Sequence, residues 1–101
     1  MTNQEIYNEI KAHIAKWGSQ KTYPEWYVGI ASDPKDALFN RHNVSRKNSW
    51  WIHRDASTES ASRAIEKALI EHLGTKGDTG GGDSSTTHVY AYLITSSTSE
   101  D

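Results

Sequence analysis

The stretch Tyr27-Val-Gly-Ile-Ala-Ser-Asp-Pro-Lys-Asp-Ala-Leu-Phe-Asn-Arg-His-Asn43 most restricts what this chain can fold into. Trp26 to Ala31 is rich in aromatic and β-branched residues, which predicts a strand. Ser32-Asp33-Pro34 follows at once and sets a capping residue ahead of proline, the usual opening of a helix. That helix is short: Ala37, Leu38 and Arg41 fall on adjoining turns before Asn43 ends it. A strand that runs directly into a helix needs a sheet to pair with and a layer to pack against.

The rest of the chain supplies both. Thr2 and Glu5 have the spacing of a capping box, and Ile6, Ile10, Ile14 and Trp17 recur at helical intervals. They predict an amphipathic helix from about Asn3 to Trp17, closed by Gly18. Ser19 to Glu25, with Pro24, reads as a connection. Ser49 to Arg54 reads as a second strand. Ser57 or Thr58 caps the longest helix, whose apolar face carries Ala61, Ile65, Ala68, Leu69 and His72 before Gly74 closes it. Gly77 to Thr87 is a Gly/Ser/Thr/Asp segment expected to be mobile, and His88 to Thr95 predicts a last strand. The expected fold is α+β, in the order α-β-α-β-α-β, with a small three-stranded sheet packed against helices. Residues 1–95 form a single domain in this reading, and 96–101 a disordered tail with nothing to pack.

A chain of 101 residues is the size of one ordinary domain, and without cysteine it has neither disulfides nor a thiolate metal site. No apolar run reaches membrane-spanning length, and the first residues lack the basic-then-apolar order of a signal peptide. A cytoplasmic protein without membrane contact is the expectation. The net charge of −2 argues against non-specific coating of nucleic acid. Charge is unevenly placed, however. Ala37 to Arg54 holds Arg41, Arg46, Lys47 and Arg54 and no acidic residue, whereas the chain ends in Glu100 and Asp101. Such a basic strip could meet a phosphate backbone, but a solvated loop around Val44 to Asn48 is the expectation.

Trp50 and Trp51 are neighbours in a predicted strand, so their indoles leave opposite faces of the sheet. Helices on both faces would bury the pair, which is the expectation. An indole left open beside Arg46, Lys47 and Arg54 would instead suit stacking on a base, which makes Trp51 a candidate nucleic-acid contact. His42, His53, Asp55 and Glu66 are candidate ligands for a divalent ion, without zinc or calcium spacing. Glu66 lies beside Ile65, at the edge of the long helix's apolar face, where a carboxylate could point toward the strand ends. Gly80-Gly81-Gly82-Asp83 reads as a linker rather than an anion nest.

Tyr27-Val28-Gly29 followed by Asn40-Arg41-His42-Asn43 resembles the second half of the GIY-YIG nuclease signature. Ala64-Ile65-Glu66-Lys67-Ala68-Leu69-Ile70 resembles that family's helix bearing the metal-binding glutamate. The resemblance spans roughly Trp26 to Leu73 and implies magnesium-dependent endonuclease chemistry, with Glu66 holding the ion. It implies that Tyr27 positions or helps deprotonate the attacking water, with Arg41 as the cation and His42 as a further catalytic residue. The family's Gly-Ile-Tyr strand is absent before Tyr27, and Ala37 stands at the expected arginine. Arg41 follows one α-helical turn later, about 6 Å along the axis on the same face. Val89-Tyr90-Ala91-Tyr92-Leu93 could pair beside Tyr27 in place of the absent strand and bring a second phenol.

Three readings stay open on sequence. One is a divergent nuclease built on Tyr27, Arg41, His42 and Glu66. Another is a scaffold that binds nucleic acid or protein without turnover. The third is a small phage- or plasmid-type inhibitor that occupies a protein partner.

Overall fold

The computed structural model describes residues 2–17, 26–46, 50–77 and 85–100. Gly18, the connection from Ser19 to Glu25, Lys47 and the Gly80–Asp83 run lie outside the described residues.

Helix α1 spans Asn3–Trp17. Its capping box forms as the spacing predicts: Glu5 N–H donates to Thr2 Oγ1 at 3.1 Å, and Thr2 N–H to Glu5 Oε1 at 2.9 Å. Strand β1 is Trp26–Ala31, β2 is Trp51–Asp55, and helix α2 is Glu59–Leu73. Thr58, rather than Ser57, caps α2 by accepting from Ala61 N–H at 3.0 Å, and Gly74 ends it in the left-handed region at φ 75°. Strands β3 (Lys76–Gly77) and β4 (His88–Leu93) complete the sheet.

The sheet has four strands, not three, in the order β2-β4-β1-β3. The extra strand, β3, runs parallel to β1 through Tyr27↔Lys76 and Val28↔Gly77. Two residues carry no alternation, so periodicity could not reveal it. Strand β4 sits at the centre, antiparallel to β1 and to β2. Its pairing beside Tyr27 is present in full register, with Tyr27 opposite Tyr92 and Gly29 opposite Tyr90.

Alternation divides the sheet into two unlike faces. Trp26, Val28, Val89, Ala91, Leu93 and Ile52 pack with Ile6, Ile10 and Ile14 of α1 and Ile65 and Leu69 of α2. The opposite face presents Tyr27, Tyr90, Tyr92 and Trp51 to Leu38, Phe39, Val44 and Ile94. Both long helices therefore cover one side, and the segment after β1 covers the other. Trp50 falls just before β2 and is 39% exposed, against the expectation of a buried pair, while Trp51 is half-buried.

The segment after β1 also differs in kind. Asp33 caps it, accepting from Asp36 N–H at 3.1 Å, but Asp36–Arg41 is a π-helix. His42 N–H bonds the Ala37 carbonyl, five residues back, at 3.0 Å. Short π segments are rare and concentrate at functional sites. Here the wider turn carries His42, not Arg41, back over Ala37. His42 and Ala37 are buried while Arg41 is exposed, which corrects the expectation that Arg41 shares Ala37's face.

Candidate functional site: a histidine between two tyrosines

Three tyrosines and one histidine meet on the aromatic face. Tyr27 and Tyr92 oppose each other across β1 and β4, and their rings stack at 5.3 Å with 22° between planes. Tyr90 lies two residues along the same face and runs across Gly29. A Cβ on Gly29 would stand 2.5 Å from the Tyr90 hydroxyl oxygen, so only glycine leaves room for this ring. The Tyr-Val-Gly sequence therefore has a local cause: Tyr27 supplies one ring and Gly29 admits another.

The π-helix delivers His42 into this group. Its ring is 5.0 Å from Tyr92, 5.6 Å from Tyr90 and 4.9 Å from Tyr27, measured between centroids. His42 Nε2 lies 2.8 Å from the Tyr90 hydroxyl, and Nδ1 lies 2.5 Å from the Ser99 carbonyl and 3.0 Å from the Tyr92 hydroxyl. A carbonyl only accepts, so Nδ1 carries a proton shared between Ser99 and the Tyr92 oxygen. The Tyr92 hydroxyl in turn donates to Glu100 Oε2 at 2.8 Å. In neutral His42, Nε2 is left as an acceptor and takes the Tyr90 O–H. The ring is thus fixed as one tautomer, with its basic nitrogen on Tyr90.

Burial makes both phenols hard to ionise. The pKa of Tyr90 is raised well above the ordinary phenol range, first by burial and then by neighbouring Tyr27. The Glu66 carboxylate pushes it the same way, while the Arg41 guanidinium pulls it down. Tyr92 is raised first by burial and next by its hydrogen bond to Glu100, whose charge adds to the effect. Tyr90 is thus the phenol that both Arg41 and Glu66 reach electrostatically.

Glu66 departs from its expected place. It is 1% exposed, within a buried stripe of Ser62, Ile65, Glu66 and Leu69, rather than at the rim of the apolar face. Ser62, one turn before it, is buried as well, with its hydroxyl 2.7 Å from the Thr86 carbonyl that it bonds. Hydropathy alone does not detect a serine buried for its hydrogen bond.

The other sequence candidates divide. His53 stacks under Trp51 at 5.9 Å, its pKa lowered first by burial and then by Lys35, and Asp55 faces His88 at 3.9 Å. Among the described residues no three His, Asp or Glu side chains converge on a metal position. Arg46 lies over the Phe39 ring at 4.0 Å, and Phe39 meets Trp51 edge-on at 5.0 Å, so Arg46 and Trp51 share one aromatic patch. Arg54 leaves that patch: its position on the other face of β2 gives it Glu9 of α1 at 2.7 Å. Lys47 lies outside the described residues.

Tyr90 and Tyr92 carry a signal legible in sequence, since Tyr-x-Tyr in a strand puts both rings on one face. Ser99 and Glu100 carry none, because nothing local in a Ser/Thr-rich chain end indicates a return to the sheet. Fold and site together define a mixed-sheet α+β domain with a tyrosine–histidine cluster on the face away from its long helices. No family model, curated protein or solved structure matches the chain.

Proposed function

We propose that this cluster is a phosphodiester-hydrolysis site of a divergent, GIY-YIG-like kind, acting on nucleic acid. The observation that carries the reading is the His42 ring joining Tyr90 to Tyr92 on the face where Tyr27 stacks. Strand β4 lies beside β1 and gives Tyr27 the partner phenols that the missing Gly-Ile-Tyr strand would have supplied.

In this reading Tyr27, half-buried, and Arg41, exposed, form the open side of the site. Arg41 takes the place of the cation at the phosphate, because Ala37 has no charge to offer. Tyr90 stays protonated and is not itself a ready base. As its oxygen takes a proton from the attacking water, its own proton passes to His42 Nε2. The water oxygen bonds to phosphorus, and the bond to the leaving oxygen breaks, that oxygen departing with the bonding pair and taking its proton from solvent. The family pattern would have Glu66 hold a divalent ion, which supplies charge stabilisation at the phosphate oxygens when bound. A single hard carboxylate suits magnesium rather than zinc, but Glu66 is 1% exposed on α2, which covers the opposite face of the sheet from the tyrosines, so its carboxylate does not open onto the cluster.

The test is cleavage of labelled single- and double-stranded DNA and RNA with Mg²⁺ or Mn²⁺. Glu66→Gln keeps the buried shape and removes the charge, and on the family pattern it lowers the rate at least about a hundredfold. Cutting that survives this change would remove Glu66 from the site.

A second reading, binding without cleavage, is favoured by a different observation: Arg46, Phe39 and Trp51 form a patch suited to a phosphate and a base. Salt-sensitive binding that Glu66→Gln leaves intact, with no cutting by the wild type, is its signature.

A further inference from the structure

We propose that the chain end is an internal occupant of an anion subsite, seated where a phosphate of the substrate would bind. This deepens the reading of the cluster as a phosphodiester site and rests on it. The subsite has two donors, the Tyr92 hydroxyl and His42 Nδ1–H, side by side on the aromatic face. The chain end meets both with acceptors: the Glu100 carboxylate takes the Tyr92 hydrogen, and the Ser99 carbonyl takes the His42 hydrogen. Two adjacent oxygens, one of them anionic, are what a phosphate group presents to the same pair.

How the segment is held suggests that it can leave. A turn at Thr95–Thr98 sends the chain back, with Thr98 N–H on the Thr95 carbonyl at 3.3 Å and Thr95 N–H on Thr98 Oγ1 at 3.0 Å. Ser99 N–H then donates to the His42 carbonyl at 2.8 Å, and Asn43 Nδ2 donates to the Ser97 carbonyl at 2.9 Å. After Ile94 the sequence is Thr-Ser-Ser-Thr-Ser-Glu-Asp, without one apolar side chain to bury. Among the described residues the strap is tied to the aromatic face through hydrogen bonds, each of which water or a ligand can replace. A ligand phosphate would take over both donors and release residues 95–100. The strap lowers affinity for weak anions and yields to a nucleic acid that also engages Arg41.

The test is a titration of the full chain with inorganic phosphate, read from the NMR signals of the His42 and Tyr92 rings. In Glu100→Ala the phosphate affinity is expected to rise about tenfold over wild type, the effect of one charged hydrogen bond no longer competing. Glu100→Gln retains an acceptor without charge and is expected to fall between. Glu71→Ala, which removes the same charge from an exposed position on α2, is expected to leave the affinity unchanged. Equal affinities in wild type and Glu100→Ala, or an equal gain in Glu71→Ala, would overturn the strap. The cleavage assay separates the two proposals. Tighter phosphate binding by Glu100→Ala with no cutting by any variant supports the strap and removes hydrolysis. Cutting with identical phosphate affinities overturns the strap and leaves hydrolysis standing.

Discussion

Gly29→Ala is expected to cost about 2 kcal/mol of stability, near the upper part of the range for overpacking a buried site. The added methyl would stand 2.5 Å from the Tyr90 hydroxyl oxygen and 2.6 Å from its ring carbon Cζ. A tyrosine tip can often swing away from such a clash, but this one is 3% exposed and hydrogen-bonded to His42. Moving it breaks that bond or pushes the ring into Tyr27. In a chain of this size the cost corresponds to a fall in Tm of roughly 10 °C. Combining Gly29→Ala with Tyr90→Ala should make the glycine change nearly neutral, because the two sites interact through one contact. Thermal denaturation of the four proteins decides it. A single variant as stable as wild type would mean that the Tyr90 ring does not lie across Gly29.

The second large effect is alkaline. Tyr90 and Tyr92 have pKa values raised in the folded chain, by burial first in each case. Unfolded, both return to the ordinary phenol value of about 10. Below that value neither state gains or loses a phenol proton, so the stabilisation is complete. Above it the unfolded chain loses protons that the folded chain retains, and stability falls by up to about 1.4 kcal/mol per pH unit for each phenol. Tyrosinate absorbance and circular dichroism should therefore change together: these two tyrosines ionise only as the fold is lost. If all five tyrosines titrated smoothly with the fold intact, the buried cluster would be refuted.

These two residues also mark what the sequence could and could not convey. The strand from Trp26, the capped helices and the last strand, β4, were legible because period and caps are local properties of the chain. So was the pairing that set Tyr90 and Tyr92 beside Tyr27. The π-helix was not, since Asp36 to Arg41 has the composition of any short helix, and one widened turn exchanged Arg41 for His42 at the buried position. Glu66 reads in the sequence as a rim position of the long helix, whereas the fold buries it to 1% exposure beside Ser62, whose hydroxyl bonds a carbonyl far along the chain. The chain end was expected to have nothing to pack against. Its contacts at His42 and Tyr92 are tertiary hydrogen bonds, which no window of sequence displays.

In the proposed reading, β4 takes the place beside Tyr27 that the Gly-Ile-Tyr strand holds in the GIY-YIG pattern. His42 N–H bonds the Ala37 carbonyl, and both residues are buried. What remains is to show that the assembled group acts on a phosphodiester. The decisive measurement is the rate of nucleic-acid cleavage with Mg²⁺ or Mn²⁺ by wild type and by His42→Asn, both shown to be folded. The expected result is metal-dependent cutting by the wild type and a loss of at least about a hundredfold in the variant, the usual range for a proton acceptor. No cutting by the wild type, or cutting that His42→Asn leaves unchanged, would contradict a hydrolytic role for the histidine between the tyrosines.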